Sequence, residues 1–144
     1  MSPEDLFQDV IDQDSAVAQL RKSSQNPVHA YLFVGPKGSC KWYAAKAFAA
    51  MIMNHTNPDH SEERTMNLIR KGEHPDLIVV EPTGNQYRDD DVQEIINEAS
   101  RSPIEGPKKI IVANRFHTAN ETAVGRLLKT LEEPPESVII ILLS

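Results

Sequence analysis

Cysteine is nearly missing from this sequence: its 144 residues hold one, Cys40. A lone thiol excludes an internal disulfide and any multi-cysteine zinc cluster built within the chain, and it fits a reducing cytoplasm. Surplus positive charge is missing too. Lys and Arg number 15 against 21 Asp and Glu, a net charge of −6, which opposes broad electrostatic adhesion to nucleic acid and leaves room only for local basic patches. No apolar run approaches the ~20 residues of a membrane span. The acidic start, MSPEDLFQDV, lacks the basic and apolar regions of a secretory leader. Internal repeats and low-complexity tracts are absent. What remains is ordinary for a globular protein: 40% hydrophobic and 25% charged residues, at a length that suits one domain with a real core.

The most informative stretch is HAYLFVGPKGSCKWYAAKAFAA, residues 29–50. An apolar run enters a loop, Gly35, Pro36, Lys37, Gly38, Ser39, Cys40, Lys41 and Trp42, and an alanine-rich helical pattern leaves it. Strand, glycine loop and helix in that order describe a phosphate-binding P-loop, where backbone N–H groups, a helix N-terminus and one lysine converge on phosphate oxygens. Against the pattern G-x-x-x-x-G-K-[ST], Gly35 and Lys41 fit. Cys40 stands where the second glycine belongs, and Trp42 where a hydroxyl should hold Mg²⁺. The scaffold of a nucleotide site is present with part of its chemistry removed.

Four apolar runs, residues 29–34, 77–80, 109–113 and 137–143, alternate with helical patterns over 41–53, 61–71, 89–99 and 120–131. Short helices are also expected at 3–10 and 16–22. Ser61 is placed to cap one helix and Gly72 to end it; Asp89, Asp90 and Asp91 favour the dipole at the start of the next. Near-continuous apolar strands imply burial on both faces, hence a parallel sheet in a three-layer α/β/α sandwich. The last run stops one residue before the sequence does, with nothing after it to cover it, so the chain reads as an incomplete core.

HAYLFVGPKGS, EHPDLIVVEP and LLKTLEEPPESVIIILLS resemble the bacterial DNA polymerase III clamp-loader delta prime subunits over residues 29–144. LLKTLEEPP, residues 127–135, is the most specific piece and is shared with the related gamma/tau subunits. The resemblance implies an AAA+ P-loop NTPase-like domain over residues 1–144, ending before the lid and the collar. It also implies a stator that does not hydrolyse ATP and works in a ring with gamma/tau and delta subunits. That ring opens the sliding clamp for primed DNA, as part of a polymerase holoenzyme. The arginine of the family's Ser-Arg-Cys motif would follow residue 144, so no residue here inherits its role.

Aligned back from LLKTLEEPP, the Walker B acidic pair becomes Asn114 and Arg115, an amide and a cation where carboxylates order Mg²⁺ and water. The expectation is therefore no catalytic residue, no ATP hydrolysis and no bound ATP as cofactor, with the two degenerate motifs meeting in space. Residues 54–72, where relatives carry a four-cysteine zinc module, contain no cysteine. His55, Asp59 and His60 are spaced for no closed site, so no zinc or other metal is expected. Arg126 and Lys129 read as exposed cations, and with Glu132 and Glu133 they form the possible subunit interface that the resemblance places near this helix. Two rival readings are an active gamma/tau-like ATPase, opposed by Trp42, Asn114 and Arg115, and a DNA-repair AAA+ protein that binds DNA directly, opposed by the acidic charge.

Overall fold

The computed structural model describes residues 30–33, 41–57, 61–131 and 137–144. Strand β1 (Ala30–Phe33) is followed by α1 (Lys41–Thr56), α2 (Glu62–Lys71), β2 (Leu77–Val80) and α3 (Asp89–Ala99). Then come β3 (Lys109–Ala113), a 3₁₀ turn (Phe116–Thr118), α4 (Glu121–Leu131) and β4 (Val138–Leu143). The expected helices at 3–10 and 16–22 lie outside the described residues.

All four strands pair in parallel, in the order β1-β4-β3-β2. Parallel strands need crossover connections, and the alternating helices supply them. Side chains of period two divide the sheet between two cores. On one face, α1 lays Ala45, Ala49 and Phe48 against Ile110, Val112, Ile139 and Ile141. Its alanines permit close approach, and Phe48 meets Tyr31 edge-on at 4.7 Å between centroids. On the other face, Val92 and Ile95 of α3 and Ala123 and Leu127 of α4 cover Ile111, Val138 and Ile140. The three-layer α/β sandwich expected from the apolar runs is the fold.

Two expectations about the strands are corrected. The run at 29–34 is not buried on both faces: β1 forms one side of the described sheet, and Leu32 is 59% exposed. An apolar run in an edge strand is indistinguishable in composition from one in the middle. Conversely, the last strand in sequence is not left uncovered; β4 inserts between β1 and β3, and five of its six residues are buried.

The helix ends follow local chemistry. Ser61 Oγ accepts the Arg64 N–H at 3.3 Å, and Gly72 ends α2 at φ 72°, ψ 26°. There the N–H groups of Gly72 and Glu73 return to the carbonyls of Ile69 and Leu68. Asp91 does more than favour a dipole. Its buried carboxylate accepts the N–H of Arg88, and that of Thr83 at 3.3 Å, so it fastens the 83–88 loop to the start of α3.

Lys109 belongs to a strand that reads as apolar, yet it is a buried cation. Its Nζ donates to the carbonyl and the carboxylate of Glu98, each at 2.8 Å, which caps the end of α3 and satisfies the charge. That hydrogen bond holds the Glu98 carboxyl below its ordinary range, against the opposing effect of burial.

Candidate functional site

Ligands of open parallel sheets bind outside the carboxyl ends of the strands. That edge carries the end of β1 at Phe33, of β4 at Leu143, of β3 at Ala113 and of β2 at Val80. Register puts Phe33 opposite Leu143 and Ala113 opposite Leu142, so Asn114 comes level with Phe33 across the intervening β4. At about 4.8 Å per strand, the two ends stand about 10 Å apart. The loop residues Gly35, Pro36, Lys37, Gly38, Ser39 and Cys40 lie outside the described residues, as do Glu132 and Glu133. The expected meeting of the two degenerate motifs therefore reduces to their strand ends sharing one edge of the sheet.

Lys41 is the first residue of α1. Trp42 follows it, partly buried against the α1-side core, with Lys46 Nζ 5.2 Å from its ring centroid. Lys46 also reaches the last turn of α2, donating to the Arg70 carbonyl at 3.2 Å. The indole thus belongs to the second residue of α1.

At the end of β3 the two expected residues lie in a polar network. Asn114 Nδ2 donates to Glu81 Oε1 at 2.9 Å, and its Oδ1 accepts the Arg115 N–H at 3.0 Å. Both ends of the amide are thereby engaged. Arg115 adopts the left-handed conformation, φ 53°, the only described non-glycine residue to do so, which costs about 1–2 kcal/mol. Its guanidinium reaches the Gly84 carbonyl at 3.4 Å. Beneath them, the buried Tyr87 hydroxyl lies 3.0 Å from the Val80 carbonyl and 2.5 Å from that of Asn114, bridging the ends of β2 and β3. Burial raises the Tyr87 phenol well above its ordinary range, reinforced by the nearby carboxylates of Asp91 and Glu81 and opposed by Arg115. Chemically, this is a network of neutral donors with one carboxylate and one cation.

Sequence reasoning missed Glu81 and Tyr87. A tyrosine inside the polar run Gly84–Arg88 was the available signal, because an aromatic in such a loop has to be buried somewhere. Among the expected interface residues, Lys129 is exposed, but Arg126 is not free on the surface. It folds back onto α3, donating to the Asp89 carbonyl at 3.2 Å and to Gln93 Oε1, with the Asp89 carboxylate 3.6 Å away. Its neighbours on α3, one turn apart, are what the sequence of α4 alone cannot display. Among the described residues no cluster of three metal-ligating side chains occurs.

The profile of a family described as "DNA polymerase III, delta subunit" matches residues 12–144. The chain belongs to that family. The curated relatives that it resembles carry two kinds of name, tau or gamma and delta'. DNA polymerase III subunit tau of Bacillus subtilis is 34% identical over 94% of this chain and 25% of its own length. Subunit delta' of the same organism is 32% identical over 81% of this chain and 36% of its own. Subunit delta' of Pseudomonas aeruginosa is 29% identical over 92% of this chain and 42% of its own. A gamma subunit-related protein of Thermotoga maritima superposes with a TM-score of 0.67 at 19% identity, over 89% of this chain and 38% of that one, a likeness of fold. The chain thus spans a quarter to about two-fifths of these relatives. No described helix is long and apolar enough to cross a membrane.

Proposed function

We propose that this member of the delta family is a delta prime-type, non-catalytic subunit of a cytoplasmic replicative clamp loader. It takes part in loading the sliding clamp onto primed DNA beside gamma/tau and delta subunits. The observation that carries the reading is the end of β3. Asn114 spends its amide on Glu81 and on the Arg115 backbone, and Arg115 brings a fixed cation where phosphoryl transfer needs carboxylates around Mg²⁺. Trp42 at the start of α1, with its ring against the core, adds a second defect at the other motif.

The test is steady-state phosphate release by the full-length protein with ATP and Mg²⁺. The expected result is no release above the level of a Lys41→Ala variant. Magnesium-dependent turnover abolished by Lys41→Ala would overturn the reading. It would establish in its place the gamma/tau-like motor, which the 34% identity to the Bacillus subtilis tau subunit favours.

A further inference from the structure

Ile104 is the most exposed large hydrophobic among the described residues, at 76%. A single exposed aliphatic side chain means little by itself. What sets this one apart is the loop that carries it, at the amino-terminal edge of the sheet, opposite the edge of Asn114 and Arg115. Three successive N–H groups, those of Ile104, Glu105 and Gly106, all donate to one buried carboxylate, Asp76, at the entrance to β2. Arg64 of α2 grips Glu105 with both arms of its guanidinium, at 3.1 and 2.7 Å. At Gly106 a Cβ would stand 3.1 Å from Asn57 Nδ2, so the end of α1 closes on the loop as well. Pro103 and Pro107 flank it and fix two φ angles. The backbone beneath Ile104 is therefore anchored to three separate elements while the side chain points into water.

The charge around the knob is uneven. Arg64 and Arg101 are 51% and 68% exposed, whereas their partners Glu105 and Glu98 are 23% and 18% exposed. Guanidinium groups protrude and the carboxylates are covered, so a partner meets cations at the rim.

We infer that Ile104 and its held loop form a docking knob for a protein partner offering an apolar pocket the size of one branched side chain, rimmed by carboxylates. A rigid loop loses little conformational freedom on binding, which is what makes a lone aliphatic anchor effective. The inference rests on the clamp-loader reading above for its choice of probes. The full-length protein is measured by interferometry against purified gamma-type subunit, delta-type subunit and sliding clamp of its own organism, each separately. Expected is a loss of about fivefold or more in affinity for one of the three on Ile104→Ser, with unchanged thermal stability and with Ile104→Leu close to wild type. A smaller loss for all three overturns the inference and leaves the subunit reading intact. Wild-type protein that binds none of the three overturns the subunit reading itself, and this inference with it.

Discussion

Tyr87 joins two strand ends through a single hydroxyl, and its environment makes that contact pH-dependent. Its phenol is raised by burial, so the unfolded chain releases the proton first, at an ordinary pKa of about 10. The stability linked to this group is complete below that pH and is lost as the pH climbs beyond it. Tyr87→Phe should cost about 1 kcal/mol at neutral pH, because the Val80 carbonyl still accepts the Asn114 N–H at 2.9 Å. The same variant should lose less stability than wild type between neutral pH and about pH 10.5. Urea unfolding at the two pH values checks both expectations; a parallel decline in the two proteins would contradict the assignment. None of this was visible in the residues alone, since hydrogen bonds from 87 to 80 and 114 join positions that only the sheet brings together. Asn114 and Arg115, by contrast, were singled out from sequence by counting back from a nine-residue match, and both lie in the polar network at the end of β3.

At the scale of the element, two glycines make opposite demands. Gly72 closes α2 in a left-handed conformation, which an alanine adopts at a cost of about 1–2 kcal/mol. Gly125 lies in the interior of α4, and a Cβ there would meet no atom within 4 Å. Gly72→Ala should therefore lower the thermal midpoint, and Gly125→Ala should raise it by the equivalent of about 1 kcal/mol, the usual helix preference for alanine. Calorimetry of the two variants decides the matter, and a loss of stability in Gly125→Ala would mean that α4 is packed more closely there than its surroundings indicate. Caps are the most legible features of this chain: Ser61, Gly72 and the strand limits at 77–80 and 109–113 stand where turn chemistry and apolar runs put them. Lys109 and Asp76 show why other local features escape. A buried charge is admitted only by partners that arrive from elsewhere in the chain, Glu98 for one and the 104–106 backbone for the other.

For the whole molecule, alternation of strand and helix announces parallel pairing, while nothing in four similar apolar runs says which of them lie in the middle. The order β1-β4-β3-β2 sets residue 30 against 140, but 77 against 110 and 109 against 138. During synthesis, β1 leaves the ribosome ahead of the other three described strands and then waits until β4 has been made before its neighbour in the described sheet exists. The β2–β3 pair closes a far shorter loop. Because loop-closure entropy must be overcome before distant pairings repay it, the second half of the chain is the place for a folding nucleus. Pulse-labelled hydrogen exchange during refolding should find Ile110, Ile111 and Val112 protected before Tyr31 and Leu32; the reverse order would refute this sequence of events. A late strand seated between two earlier ones acts as a timer: the edge that carries Asn114 and Arg115 is assembled only when β4 slides between β1 and β3.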